Sequence, residues 1–212
     1  MPRRLIDSIT PPNKSYPRQE LEDMMERWLE ANRAAEKAGD WTTHLGPLFT
    51  EDATYSWNMG PNEEFVARGR KQICELALGY QMKGFEDWEY PYHDIIIDDR
   101  RGTVIGFWKQ VSPYKRADGT HYEVAGTGGS WFEYAGNGQW HWQRDFFDLA
   151  NAKACFFELA GAGVLNETVK RKIHTQAKGK LLPGHRRLRD EESKITKARN
   201  AIAMVKIALR GK

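Results

Sequence analysis

The chain has 212 residues, of which 40% are hydrophobic and 12% aromatic, enough for one packed domain with an appendage. No apolar run approaches the roughly 20 residues that a membrane span requires, so a membrane partner is not expected. The net charge of +3 conceals a division: Val164 to Lys212 carries 14 Lys and Arg against 4 Asp and Glu, whereas the first 163 residues carry 18 against 25 and all 25 aromatics.

Three regions follow from that division. Residues 1–17, with four prolines, read as an extended arm. Residues 18–163 form an acidic, aromatic-rich domain, and residues 164–212 form a basic extension without aromatics that can hardly build a core of its own. The start lacks an apolar stretch after Arg3 and Arg4, so a secretory signal is not expected. Cys74 and Cys155 make neither a metal-ligand spacing nor a disulfide framework. Together these point to the cytoplasm.

From Arg18, the residues Leu21, Met24, Met25, Trp28 and Leu29 share one helical face up to about Ala38. Gly39 stops that helix and Asp40 caps a short one over Trp41 to Phe49. Ala53 to Met59 alternates as a strand, a loop through Gly60-Pro61-Asn62 follows, and Arg70 to Tyr80 is a third helix. Strands are then predicted at Tyr92–Asp98, Thr103–Ser112, Thr120–Tyr134 and Gln139–Leu149. The third of these is interrupted by Gly126, Gly128 and Gly129, and a turn at Ala135-Gly136-Asn137-Gly138 precedes the fourth. A helix returns at Asn151–Ala160. In the extension, Ile195, Ala198, Ile202, Val205 and Leu209 make a seam of two heptads flanked by Lys194, Lys197, Arg199, Lys206 and Arg210. It reads as a helix docked on its own domain or on a neighbouring subunit, in a homodimer or homotrimer. With no ring there to stack on bases, a nucleic-acid partner is not expected.

The segment Arg27-Trp28-Leu29, Ala38-Gly39-Asp40-Trp41 and Leu48-Phe49-Thr50-Glu51-Asp52-Ala53-Thr54-Tyr55, with the later Gly69-Arg70-Lys71-Gln72-Ile73 and the Gly-Asn-Gly-Gln-Trp hairpin, resembles the nuclear-transport-factor-2-like superfamily. The likeness is to its SnoaL-like polyketide cyclase, ketosteroid isomerase and scytalone dehydratase branches and covers about Gln19 to Leu149. It implies an α+β fold in which N-terminal helices cover a cone-shaped, curved antiparallel sheet around an apolar pocket. Because that scaffold hosts many activities, the residues facing the pocket must decide the function.

Alternation in the last strand puts His141, Gln143, Asp145 and Phe147 on one face and Trp140, Trp142, Arg144 and Phe146 on the other, and the resemblance of the hairpin to that of the ketosteroid isomerases implies that the first set faces inward. Tyr55, Trp57, Trp108, Gln110, Tyr122, Ser130, Phe132 and Tyr134 complete the inward set. The resemblance does not extend to the ketosteroid isomerase apparatus, whose base, oxyanion tyrosine and neutral acid correspond here to Trp57, Trp28 and Ser130. Polyketide cyclases use an inward Asp on the last strand, a role that Asp145 fits. The catalytic candidates are Asp145 as base, His141 as partner, and His93 or Tyr55 as acid. Trp57, Trp108, Tyr122, Phe132, Tyr134 and Phe147 would bind substrate as an aromatic cage. No cofactor or metal is expected: Gly126-Thr127-Gly128-Gly129 lies inside a strand rather than between strand and helix. These residues suit a cofactor-independent acid–base lyase or isomerase acting on a hydrophobic aromatic molecule. Formaldehyde-eliminating lyases on lignin-derived diaryl propanediols and dehydratases are its subtypes. The alternatives are a polyketide cyclase and a non-catalytic binding or assembly module.

Overall fold

A computed structural model describes residues 14–60, 62–188 and 193–210. The first thirteen residues of the arm and Pro61 of the loop lie outside it. Helix α1 (Arg18–Ala38) buries Leu21, Met24, Met25 and Trp28, as the i, i+3, i+4, i+7 spacing requires. It ends at Gly39, whose φ of 64° lets its N–H reach back to the last-turn carbonyls. Helix α2 (Trp41–Leu45) is capped by Asp40, which accepts from Thr43 N at 3.0 Å. Helix α3 (Gly69–Gln72) continues as a π-helical segment over Ile73–Gln81.

Seven strands form one curved sheet: β1 (Phe49–Asn58), β2 (Glu63–Arg68), β3 (Tyr92–Asp98), β4 (Thr103–Trp108), β7 (Gly128–Gly136), β8 (Gln139–Phe146) and β9 (His185–Arg187). Their order is β3-β4-β7-β8-β1-β2-β9, and every neighbouring pair is antiparallel except β1–β8. The hairpin between β7 and β8 turns on Asn137 and Gly138, both at positive φ, as a tight two-residue turn demands. Strands β5 (Val111–Lys115) and β6 (His121–Glu123) pair in a separate two-stranded sheet, so the strand expected over Thr120–Tyr134 breaks in two at its glycines. The β2 strand stands where a loop was expected.

The narrow end of the cone is filled. Phe132 stacks on Trp140 with centroids 4.7 Å apart, and Trp28 meets Phe132 edge-on at 5.0 Å and Phe49 at 5.8 Å. Burying a ring of this kind stabilises by roughly 1.5–3 kcal/mol, and this cluster locks α1 onto the sheet. A second cluster joins Trp88, Val124, Ala152, Cys155 and Leu159 to Leu165 and Val169. It brings together helices α4 (Leu149–Gly161) and α5 (Glu167–Ala177). The extension therefore contributes to the fold as far as β9, which pairs with β2 at the sheet edge. Helix α6 (Lys194–Arg210) follows with its apolar residues exposed. No helix among the described residues is long and apolar enough to cross a membrane.

Candidate functional site

The wide half of the cone encloses a cavity of about 200 Å³. Helices α1, α2 and α4 and the π-helical segment wall one side, and the inner face of the sheet walls the other. Rings dominate the lining, among them Trp41, Trp57, Trp108, Phe85, Phe147 and Phe156. Trp57 is held flat by Phe65 of β2, centroids 3.8 Å apart and planes 14° from parallel.

Among the described residues, one carboxyl group stands in this apolar wall. Cross-strand register places Asp145 opposite Ser130 and beside Trp57, while Gln143 lies two residues back on the same face. Ser130 Oγ donates to Asp145 Oδ1 at 2.6 Å, Gln143 Nε2 to the same oxygen at 2.8 Å, and the Tyr55 hydroxyl to Oδ2 at 2.5 Å. Trp108 Nε1 donates to Ser130 Oγ at 2.9 Å and so orients that serine toward the carboxylate. Burial pushes Asp145 up to about 6, against the lowering effect of its three donors and of Arg144. The group is therefore ionised near neutrality yet close to its titration point, the condition that favours proton transfer. Burial and the neighbouring carboxylate hold Tyr55 far above its ordinary range, so it remains a donor.

Two further phenols face the cavity. Tyr92 accepts from Trp28 Nε1 at 2.9 Å and Tyr90 from Gln110 Nε2 at 3.4 Å. Each acceptance leaves the phenol's own proton to offer, and burial keeps both phenols protonated. Glu36 of α1 fixes the segment before β3 by accepting from Tyr90 N at 2.7 Å and from Asn32 Nδ2 at 2.8 Å.

Several expected site residues stand elsewhere. A bulge opposite Glu133 and Tyr134 absorbs one residue of β8 at His141. Trp140 therefore turns into the core, and His141 turns to the surface beside Asp52, at 3.5 Å. A second bulge, between Tyr92 and Asp94, points Tyr92 inward and leaves His93 exposed against Phe107. Phe132 and Tyr134 do face inward, but at the filled narrow end rather than on the cavity, where the Tyr134 hydroxyl donates to Glu20 at 2.8 Å. Tyr122 belongs to the small sheet and lies under Arg116, 4.6 Å from its ring centroid. Asp145, Tyr55, Trp57, Trp108 and Phe147 do line the cavity. Arg144 faces the outer side, donating to Ser56 Oγ at 3.1 Å and Asn58 Oδ1 at 2.6 Å. The residues not foreseen are Tyr90, Tyr92, Trp41, Phe85 and Phe156. A fixed Pro91 between two tyrosines was the one local sign of the first pair.

Among solved structures, a phenazine biosynthesis-related protein from Pseudomonas aeruginosa superimposes over 71% of this chain and 91% of its own, with a TM-score of 0.51 at 16% identity. The chain has the nuclear-transport-factor-2-like fold. A putative SnoaL-like polyketide cyclase from Jannaschia sp. CCS1 matches over 67% of this chain and 96% of its own, with a TM-score of 0.49 at 15% identity. An epoxide hydrolase/cyclase-like enzyme of pyran ring formation in the polyether salinomycin matches over 63% and 96%, with a TM-score of 0.47 at 16% identity. No protein-family model and no curated protein matches the sequence. At such identities the likeness speaks to the scaffold, so the chemistry must be argued from the nuclear-transport-factor-2-like cone as this chain builds it. Among the described residues, no group of three His, Cys, Asp or Glu is placed to hold a metal ion.

Proposed function

We propose that this protein is a cofactor-independent acid–base enzyme, a lyase or isomerase, acting on an aromatic small molecule in the cone. The observation that carries this reading is Asp145, the carboxyl that faces a ring-lined cavity, where burial pushes it up to about 6. Its Oδ2 keeps a lone pair beyond the Tyr55 bond and serves as the base. Tyr90 and Tyr92 donate hydrogen bonds to a substrate oxygen that gains charge as the proton leaves. Trp57, Trp108 and Phe147 hold the ring of the substrate.

A formaldehyde-eliminating lyase is one subtype these groups accommodate. Asp145 takes the proton of a primary alcohol, and the adjacent carbon–carbon bond breaks to release formaldehyde. The electron pair forms a carbon–carbon double bond as the neighbouring hydroxyl leaves with a proton as water. A dehydratase or a polyketide cyclase would use the same carboxyl to remove a proton from carbon. The competing reading is a binding module in which Asp145 only ties β1, β7 and β8 together, and its three donors favour that role. Replacing Asp145 by Asn separates the two. The enzyme reading expects turnover of an aromatic substrate to fall about 100-fold or more, with ligand affinity and the circular dichroism spectrum retained. It also expects the wild-type rate to rise through an apparent pKa near 6. Full activity in the Asn variant defeats the assignment.

A further inference from the structure

The charge on the cavity wall is one-sided. Among the described residues no Lys, Arg or His lines it, and of the carboxylates only Asp145 does. Three basic side chains that border its lining residues are engaged elsewhere. Arg144, next in sequence, projects through to the other face of the sheet and bonds Ser56 and Asn58. Lys172, 5.5 Å from the Phe85 ring centroid, donates to the carbonyls of Gln81 and Lys83 at 2.9 and 2.8 Å. His185 lies behind Trp57, with Nδ1 on Glu63 at 2.6 Å and Nε2 accepting from Gln81 Nε2 at 3.1 Å, an arrangement that requires the neutral ring. The side chains that face Asp145 itself are Tyr55, Ser130, Gln143 and, more remotely, Tyr90 and Tyr92, and all are neutral donors.

Gln143 fixes the polarity of this corner. Its Nε2 must point at the carboxylate and at Ser130 Oγ, because the reversed amide would set oxygen against oxygen. Its Oε1 is then buried without a partner among the described residues, so the amide offers the carboxylate its donor side alone.

We infer that the cavity is a charge filter that admits neutral aromatic alcohols, phenols, amides or carbonyl compounds and rejects the corresponding aryl carboxylates. This deepens the acid–base reading and rests on its placing the ligand against Asp145. A ligand carboxylate in the cone would lie near Asp145 in a poorly solvated space with no cation between them, an arrangement that two like charges resist strongly. A neutral ligand meets only donors and rings. The same wall that raises the base toward neutrality therefore sorts substrates by charge.

Two probes of nearly equal shape, 4-hydroxybenzamide and 4-hydroxybenzoate, test this by isothermal titration with the full chain. At about pH 8, where Asp145 is ionised, the amide is expected to bind about tenfold or more tightly than the carboxylate. That ratio should shrink toward unity in Asp145→Asn, and in the wild type as the pH is lowered to about 5. The second measurement holds even if the variant does not fold. Equal or tighter binding of the carboxylate at about pH 8 overturns the inference, as does failure of both probes to bind or a ratio that ignores both pH and the Asn variant. Charge selection is read from binding alone and the acid–base role from turnover, so either can fail while the other stands.

Discussion

The two halves of the C-terminal extension have the same basic, aromatic-free character and opposite fates. From Leu165 to Arg187 the chain is docked: Leu165, Val169 and Leu182 are buried, and β9 extends the main sheet. From Lys194 to Arg210 it is an amphipathic helix whose Ile195 and Leu209 remain 81% and 79% exposed. The second half has the more regular apolar spacing, so spacing does not decide docking. In the first half the polar groups find partners on the domain itself. Lys172 caps the bare carbonyl end of the π-helical segment, and the rings of Tyr80 and Phe85 lie 5.1 and 5.5 Å from its Nζ. The guanidinium of Arg186 bonds the buried carboxylate of Glu64, and His185 bridges Glu63 and Gln81. A missing side chain at Gly184 lets this strand press onto Phe65, since a Cβ there would collide with the ring. Through Phe65 and Gln81 the extension thus supports Trp57 and one wall of the cavity.

Truncation should expose the contrast most strongly. Removing residues 164–212 takes away one side of the second core cluster and the sheet edge at β2, and is expected to abolish cooperative thermal unfolding. Removing residues 193–212 should leave the melting curve nearly unchanged. A similar melting temperature for both truncations would show that the docked half stabilises nothing.

A smaller effect is expected from Lys172→Ala, which leaves the Gln81 and Lys83 carbonyls without their donor and should cost about 2–3 kcal/mol by urea unfolding. The pH dependence carries a sign of its own. Burial holds Lys172 down at about 8 in the folded chain, below the roughly 10.4 of an unfolded lysine. Between those values the unfolded chain binds more protons, so the wild type should gain stability as pH rises through that window. The alanine variant should lose this gain. An unaltered pH slope would place the lysine in solvent.

The sequence and the structure part company where backbone geometry overrides alternation. The helices α1 and α4 and the β7–β8 hairpin are legible from period and turn chemistry, and the inward Asp145 from strand alternation once the resemblance says which face is inside. His141 and His93 are not, because a single-residue bulge reverses the face of every residue on one side of it and leaves no mark in composition. Strand β2 is hidden because Glu63 and Glu64 open it with charge, leaving only Phe65 and Ala67 on its buried face. Strand β9 is three residues long and is held by its partner rather than by its own propensity. In the candidate site, the carboxyl and three rings of the cage, Trp57, Trp108 and Phe147, can be read from strand parity together with the resemblance, whereas Trp41, Phe85 and Phe156 come from helices and a loop that parity does not reach. The phenols of Tyr90 and Tyr92 cannot be read so either, since they flank a proline and Tyr90 precedes the strand.

The smallest effect should come from the free half itself. Asp substituted for Ile202 and Val205, which are 58% and 56% exposed on the apolar side of α6, changes side chains that belong to neither core cluster among the described residues. A surface change of this kind ordinarily alters stability by no more than about 0.5 kcal/mol. The double variant should therefore melt like the wild type at every protein concentration. If instead the wild-type melting temperature rises with concentration and the double variant's does not, α6 is docked on a second copy. Both halves of the extension would then obey one rule, that a basic helix packs wherever its apolar face and its charges are both met. The contrast between them would then lie only in which chain supplies the surface.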